Sequence, residues 1–254
     1  MNAPEDILGG KQFLFKQSNT TSGELWAEKI AAELGELLHL TMMHVQFAQH
    51  NGTFGVIMEN FVSKDQELQD GGQLLSKAIP DFNVNSLDFY TIENIMSEIV
   101  NFEMETDFIR LCLFDALIAS SDRHCENWGV IYDKGNYTFA PIYDNGNSLG
   151  FNVANEKLSL CEQAFQTFTN RSKTQIEVGG KRKPKTMLLL NYLLCNYHGI
   201  VQKEMDSYRS LDYHKVSAII NGIPPEIMSV QQQEWVYYLI KYRHKWLTEY
   251  RWKE

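Results

Sequence analysis

The segment 129–142 contains two short apolar and aromatic runs, GVIY and YTFAPI, separated by the polar turn sequence DKGN. Gly135 supplies the positive φ that such a turn needs, and the pattern predicts a β-hairpin in which Tyr132 faces Tyr137. Pro141 has no amide donor, so the second strand is expected to end at a sheet edge. This hairpin is the strongest constraint on the fold, because its register determines which polar residues before and after it lie close together.

Polar residues that carry oxygen atoms lie on both sides of the hairpin. Continued antiparallel pairing places Asn127 opposite Ile142, and Asp144 then lies just past the same end of the ribbon. Amide and carboxylate oxygens suit Mg²⁺, which also retains water and binds phosphate oxygens. Asp122 precedes the first strand by a short loop, from which it can orient or deprotonate a substrate hydroxyl. The sequence thus predicts a magnesium site at Asn127 and Asp144, beside a catalytic Asp122.

The motif Asp122-x-His124-x-x-Asn127, followed by the Asp144 of APIYD, resembles that of the HipA-like kinases, bacterial serine/threonine kinases with a protein-kinase-like fold. The Asp-Arg-His-x-x-Asn run is also similar to that of phosphoinositide kinases, which share this distant fold. Kinases of this general type use a catalytic-loop Asp with an Asn and a second Asp as metal ligands. The resemblance implies ATP and Mg²⁺ as cofactors, and Asp122 and His124 as catalytic residues. His124 would hydrogen-bond either the loop or the transferred group.

The resemblance also implies an α+β, two-lobed protein-kinase-like fold. A small β-rich N-lobe is expected over residues 1–62, and a larger, mainly helical C-lobe over 63–254. Apolar periodicity predicts a strand at 11–17, a helix from 22 or 23 to 38, and a second hairpin within 40–61 around an Asn-Gly turn. The polar segment 64–90 is interpreted as the passage between the two lobes, and the polar segment 150–180 corresponds, by the resemblance, to the stretch that hosts activation-loop and substrate contacts in kinases. Further helices are expected at 91–102, 106–120, 186–197, 201–208, 212–221 and 231–251.

Nucleotide-binding residues in the N-lobe are assigned by the resemblance. Lys16 on the first strand is the candidate phosphate ligand, and Glu24 or Glu28 on the following helix is the candidate partner that holds this lysine in place. Both glutamates remain open, because they lie one helical turn apart on the same face. Glu59 and Phe61, at the end of the second hairpin, correspond to the hinge where backbone groups bind adenine.

Composition and charge exclude several classes of partner. The 254-residue chain has a formal net charge of −9, which argues against general binding to nucleic acids or anionic membranes. No apolar run approaches the roughly 20 residues of a membrane span. The N-terminus lacks a basic region and an apolar signal core, and the four cysteines form no C-x-x-C pair. We therefore expect reduced thiols and a cytoplasmic location.

The resemblance implies transfer of the ATP γ-phosphate to serine or threonine of a protein substrate. Several relatives are toxins of toxin–antitoxin systems, which suggests an antitoxin or another small regulatory partner. Two alternatives remain open: a lipid or small-molecule kinase on the same fold, and a nucleotide-binding module without turnover. The second alternative arises because residues 7–10 (ILGG) are much shorter than a full glycine-rich loop. The basic run 181–185 (KRKPK) is either a solvated loop or a site for an acidic substrate, a phosphorylated residue or the nucleotide.

Overall fold

A computed structural model describes residues 12–17 and 23–249. Its strands form two three-stranded antiparallel sheets. The first sheet has the order β1-β3-β2, with β1 at Phe13–Lys16, β2 at Val45–His50 and β3 at Thr53–Glu59. The second has the order β4-β5-β6, with β4 at Glu67–Asp70, β5 at Gly129–Asp133 and β6 at Asn136–Phe139.

Both predicted hairpins are present. In the β2–β3 turn, Asn51 and Gly52 have φ angles of 48° and 77°, the double left-handed conformation that matches the twist of a two-residue hairpin. The β5–β6 turn has the same character at Lys134 and Gly135. Tyr132 pairs with Tyr137, so the predicted register is confirmed. Asn-Gly and Lys-Gly therefore encode these turns locally.

The β5–β6 hairpin ends earlier than predicted. Its last backbone hydrogen bond joins the amide of Ala140 to the oxygen of Gly129, at 2.9 Å. Ile142 forms a parallel bridge with Met42 rather than pairing with Asn127. The predicted pairing of Asn127 with Ile142 is therefore wrong, and Pro141, which has no amide donor, stands where the ladder stops. The chain after Pro141 thus passes from the second sheet toward the segment that leads into β2.

The first helix, α1 (Glu24–Leu37), lies between two apolar clusters. Leu25 and Ala32 belong to a small cluster with residues of β2 and β3. Trp26, Ile30 and Leu34 belong to the large core that the remaining helices build. Because α1 packs against an apolar cluster on each side, a polar residue on this helix can lie buried between the first sheet and the other helices.

Seven further helices follow in the described part of the chain. They are α2 (Gly71–Ala78), α3 (Ile92–Ile99), α4 (Glu105–Ile118), α5 (Glu162–Arg171), α6 (Thr186–Tyr208), α7 (Tyr213–Asn221) and α8 (Val230–Glu249). Short 3₁₀ helices lie at Val100–Phe102 and Asn155–Lys157. No helix among residues 12–17 and 23–249 is long and apolar enough to cross a membrane.

Three segments differ from the sequence interpretation. The expected connection 64–90 contains β4 and α2, and α2 begins with a capping box between Asp70 and Gln73. The polar segment 150–180, for which no helix was predicted, contains α5, which buries only Phe165 and Thr169. The helices predicted at 186–197 and 201–208 follow each other without a linker in α6, and a kink at Tyr197, whose angles are non-helical, marks the predicted break between them. The boundary between lobes at residues 62 and 63 stays a prediction.

Candidate active site

Asp122 lies in the loop that follows α4. The helix ends where Ala119 adopts a left-handed conformation with φ of 56°, and the chain then turns toward the second sheet. The half-buried Asp122 carboxylate accepts a hydrogen bond from Asn147 Nδ2 to Oδ2, at 2.6 Å. It accepts a second bond from Gln175 Nε2 to Oδ1, at 3.4 Å. Two amide groups from distant parts of the chain therefore fix the direction of this carboxylate.

Arg123 holds the loop together from inside the protein. Its guanidinium group donates to both carboxylate oxygens of Asp115, at 3.0 and 2.8 Å. It also donates to the main-chain oxygens of Asn127 and Tyr143 and to Oδ1 of Asn145, each at 2.8 Å. One buried side chain thus brings the segments around residues 127 and 144 together. The approach predicted from strand pairing is made by Arg123 instead.

The charge of Arg123 is stabilised by its partner. Burial alone lowers the pKa of a guanidinium, but the charge and hydrogen bonds of Asp115 raise the pKa of Arg123 above its ordinary value. The loop is also supported from below, where Tyr90 donates from its hydroxyl to the oxygen of Arg123, at 3.2 Å. Trp128 Nε1 donates to that same hydroxyl, at 2.9 Å. These contacts make residues 122–128 a rigid, internally satisfied loop.

The side chain of Asn127 has a defined orientation. Its Nδ2 donates to the main-chain oxygen of Asp122, at 2.9 Å, so Oδ1 is the end that remains for coordination. Asp144 adopts a left-handed conformation with φ of 53°, which aspartate tolerates better than most residues. No group of three or more His, Cys, Asp or Glu side chains in the described residues could hold a metal. A donor set of one amide and one carboxylate still fits Mg²⁺, which takes its other ligands from water and phosphates.

Lys16 lies between two carboxylates. Its Nζ is 2.9 Å from Asp144 Oδ1 and 3.7 Å from Glu28 Oε2. Burial lowers the pKa of Lys16, but the charge and hydrogen bond of Asp144 and the charge of Glu28 together raise it; Glu24 adds a smaller effect. Of the two predicted glutamates, Glu28 is the one whose ion pair with Lys16 the structure shows. This ion pair joins β1 to α1, and the phosphate-binding role of Lys16 stays a prediction.

Glu28 also anchors the segment after Asp144. Its Oε1 accepts a hydrogen bond from the amide of Asn145, at 2.8 Å, whereas Oε2 is buried with no hydrogen bond from a described residue. Burial raises the pKa of the Glu28 carboxyl above its ordinary value, although Asn145 and Lys16 oppose this. Gly146 permits the close approach, because a Cβ there would stand 3.2 Å from Oε2.

The remaining predicted residues lie near this centre or outside the described residues. The ring of Phe61 lies 5.6 Å from the ring of Tyr143, next to Asp144. Glu59 ends β3, and its amide donates to the oxygen of His44, at 3.0 Å. The roles of Glu59 and Phe61 in adenine binding stay predictions. Residues 7–10 lie outside the described residues.

His124 faces its own loop. Its Nδ1 accepts a hydrogen bond from the amide of Glu126, at 3.3 Å, and lies 3.8 Å from the Glu126 carboxylate. The amide of His124 in turn donates to the oxygen of Asp122, at 2.8 Å. Of the two functions considered for this side chain, the structure shows a contact with the loop. A catalytic role for His124 stays a prediction.

Sequence reasoning missed several residues that build the site. They are Tyr90, Asn145, Asn147 and Gln175, together with the pairing of Asp115 to Arg123. A signal for that pairing was present, because Asp115 lies in a helix that is otherwise apolar nearly all round. A buried carboxylate requires a cation or several donors, and the Arg of the Asp-Arg-His run is the nearest in sequence. The other four residues carry no local signal.

Comparison with known proteins gives the family and the fold. The family model of the HipA-like C-terminal domain matches residues 5–191. No curated protein is detectably similar to the chain in sequence. The crystal structure of the Helicobacter pylori proinflammatory kinase CtkA is similar, with a TM-score of 0.78 and 19% identity; the match covers 96% of this chain and 90% of CtkA.

HipA from the toxin–antitoxin system of Shewanella oneidensis MR-1, solved with HipB and operator DNA, is also similar. Its TM-score is 0.60 at 12% identity, and the match covers 94% of this chain but only 57% of HipA. The predicted α+β protein-kinase-like fold is therefore confirmed. Since the family model spans well over half of the sequence, the chain belongs to the family of proteins with a HipA-like C-terminal domain.

Proposed function

We propose that this chain is a kinase that transfers the γ-phosphoryl group of ATP to a serine or threonine hydroxyl of a protein. The observation that carries the proposal is the meeting of two groups of residues at one place. Lys16 and Glu28 contact Asp144 or its neighbour, while Arg123 ties the Asp144 segment to the loop that holds Asp122 and Asn127. Membership of the HipA-like family and the fold of CtkA support it.

The nucleotide side of the site consists of Lys16, Asn127 and Asp144. Asn127 Oδ1 and the Asp144 carboxylate would hold Mg²⁺, and Lys16 would contact a phosphate. The ion, when bound, neutralises charge on the phosphate oxygens. Lys16 can leave Asp144 without losing a carboxylate partner, because the unbonded Oε2 of Glu28 is 3.7 Å from its Nζ. The pair seen between Lys16 and Asp144 is therefore exchangeable.

Asp122 would act on the acceptor. Asn147 and Gln175 hold its two oxygens, so the carboxylate has a fixed direction in which it can meet an acceptor hydroxyl. In this position Asp122 orients the hydroxyl and accepts its proton as the oxygen attacks the γ-phosphorus and the bond to the leaving ADP breaks. Correct placement supplies much of the rate enhancement in such a reaction, which gives the rigid loop a direct purpose.

The proposal is tested by incubating the purified chain with ATP and Mg²⁺, with a serine- and threonine-rich protein as acceptor. Mass spectrometry should find phosphoserine or phosphothreonine on the chain or on the acceptor. Asp122→Ala and Asp144→Ala should each lower the rate by at least about 10³-fold. Asp206→Ala is the matched control, since Asp206 is exposed and pairs only with the exposed Arg209 among described residues.

The same incubation separates the alternatives. Phosphate transfer to phosphatidylinositol vesicles, with none to protein, would show a lipid kinase on this fold. Nucleotide binding that is lost in Lys16→Met, without transfer to any acceptor, would show a binding module. Phosphoprotein that persists in Asp144→Ala would contradict the site assigned above.

We also propose that the chain acts with a small regulatory protein, as a toxin with its antitoxin. The support is the family match and the structural likeness to a HipA that was solved with HipB. Expression of the chain should slow bacterial growth, whereas Asp122→Ala should not. Growth that is equal for both would contradict the toxin role and leave the kinase proposal intact.

A further inference from the structure

A groove of about 740 Å³ opens beside Asp122. Its lining includes Ser121, which precedes Asp122, and Asn147, which donates to the Asp122 carboxylate. The lining also contains two cations, Arg171 and Lys173, and no aspartate or glutamate from the described residues. In a chain with a net charge of −9, a groove whose charged lining residues are all cations is unusual. Its volume lies within the roughly 300–1,000 Å³ that ligand-binding clefts occupy.

Lys173 has a second lysine directly opposite it. Lys173 and Lys185 form an isolated antiparallel bridge, flanked by hydrogen bonds from Thr174 N to Pro184 O and from Thr186 N to Ser172 O. This pattern makes the two lysines a non-hydrogen-bonded pair, the type in which side chains are closest, with Cα atoms about 4.5 Å apart. Both side chains are exposed. Like charges directly opposite each other destabilise a strand pair.

No carboxylate of the described residues neutralises this pair. Arg171, Lys173 and Lys185 form no ion pair within residues 12–17 and 23–249. The contrast with Arg182, in the same basic run, is direct, because Arg182 pairs with Asp88 and also lies 3.9 Å from Glu177. Among the described residues, the charges of Arg171, Lys173 and Lys185 therefore stay without an ion-pair partner beside the groove.

The positive charge lies close to the catalytic carboxylate. Gln175, two residues after Lys173, donates both to the oxygen of Ser121, at 3.2 Å, and to Asp122 Oδ1, at 3.4 Å. Two residues of chain span at most about 7 Å, so the Cα atoms of Lys173 and Gln175 are no farther apart than this. An acceptor hydroxyl at Asp122 is thus within about three residues of extended peptide from the lysine pair.

We infer that Arg171, Lys173 and Lys185 select the protein substrate, by binding an anionic side chain within about three residues of the acceptor serine or threonine. The inference rests on the proposed kinase function and names its substrate class. The anion is a carboxylate or a phosphate already present on a neighbouring residue, since both match paired lysines and an arginine. The unfavourable approach of the two lysines is relieved when the peptide supplies the missing charge.

The test uses the full chain and two sets of fluorescent peptides. Each peptide has glutamate, phosphoserine, alanine or lysine at one of the three positions on either side of the acceptor. In the first set the acceptor is alanine, so that anisotropy measures binding without transfer. In the second set it is serine, and kcat/KM is measured with ATP and Mg²⁺. At the best position, glutamate and phosphoserine peptides should bind about tenfold more tightly than alanine peptides, with a matching gain in kcat/KM.

Charge reversal supplies the variants. Lys173→Glu and Lys185→Glu should abolish the preference for anions and favour lysine peptides. Each reversal turns a repulsive cross-strand pair into an attractive one, so the unfolding midpoint should stay equal or rise while anion binding falls. A purely structural role for the lysines would not move these two quantities in opposite directions. Lys203→Glu, the same change at an exposed site near the other end of α6, is the control and should keep the preference.

The outcomes separate this inference from the proposed function. Equal binding and equal kcat/KM for all peptides would overturn the inference while leaving the kinase in place. Selective binding of anionic peptides, lost in Lys173→Glu, would support the inference even if no phosphate is transferred, and the kinase proposal alone would then fail. A preference that survives both reversals would also overturn it. A stronger response to phosphoserine than to glutamate would identify a phosphorylated partner as the source of the anion.

Discussion

Two ion pairs in this molecule have almost the same length and opposite surroundings. Arg123 Nη2 lies 2.8 Å from Asp115, and Lys16 Nζ lies 2.9 Å from Asp144. The side chains of the first pair are 2% and 12% exposed, whereas those of the second are 31% and 44% exposed. Arg123 uses its remaining donors on backbone and side-chain oxygens of the loops, while Lys16 has an alternative carboxylate nearby in Glu28.

The difference distinguishes a framework, the buried network around Arg123 and Asp115, from an exchangeable part, the exposed pair of Lys16 and Asp144. The charge on Arg123 is buried, so its partners must all be present in the folded chain and none can leave at low cost. Lys16 and Asp144 face solvent, where an ion pair contributes little to stability and its members can take new partners. A phosphoryl-transfer site needs both features, because the geometry must be fixed while the nucleotide and the ion come and go.

We expect the largest effect on stability from a substitution of Arg123. Arg123→Leu leaves Asp115 buried without a cation and frees the oxygens of Asn127 and Tyr143. The free energy of unfolding should fall by about 3–5 kcal/mol, measured by urea denaturation. Arg209→Leu, which removes an exposed arginine paired with Asp206, is the control and should change it by less than about 0.5 kcal/mol. A similar small loss in both variants would mean that the buried network is not the framework.

Lys16→Met should show the reverse behaviour. We expect a change in unfolding free energy below about 1 kcal/mol, because the lysine is partly exposed. The value of kcat/KM for ATP should fall by about 100-fold or more, since a charge that faces the phosphates is lost. Urea denaturation and steady-state kinetics on the same preparation provide both values. Loss of stability as large as that of Arg123→Leu would place Lys16 in the framework instead.

Glu28 stands between the two classes, and its pH dependence sharpens the distinction. Burial raises the pKa of its carboxyl above the ordinary 4.5, so the folded state holds this proton at pH values where the unfolded chain has released it. Its contribution to stability is therefore lost as pH rises from about 4.5 through the folded pKa. Glu28→Gln does not titrate. The unfolding free energy of the variant, minus that of the wild type, should therefore increase as the pH rises over this range and be constant above it. A difference that is the same at every pH from 4 to 8 would contradict this.

Much of the exchangeable part could be predicted from sequence. Lys16, Asn127 and Asp144 lie in or beside short elements whose sequence patterns are clear, whereas Glu28 was named only together with Glu24. Both hairpin turns were predictable for the same reason, since Gly52 and Gly135 mark the left-handed positions. The family resemblance then supplied the roles that local patterns lack.

The framework was harder to predict, because it depends on contacts between distant segments. Asn147 and Gln175 reach Asp122 only once the chain after Asp144 and the turn before α6 have folded against the loop. The pairing of Ile142 with Met42 has no pattern in either segment. Helix α5 was missed because it buries little apolar surface, so no periodic stripe marks it. Tertiary context decides each of these cases.

We expect the smallest effect from substitutions of His124. Their result decides whether this residue acts on the transferred group or keeps the loop in place. Its ring accepts a hydrogen bond from the amide two residues on, which is the bond that an asparagine side chain makes in a turn. His124→Asn should therefore keep the loop and lower kcat by less than about threefold, whereas His124→Ala loses the bond and should lower kcat by about tenfold. If both variants lose activity equally and by more than 100-fold, the imidazole acts on the transferred group, and His124 belongs with Lys16 and Asp144. If only the alanine variant is impaired, His124 belongs with Arg123, because its function is then to keep Asp122 in place.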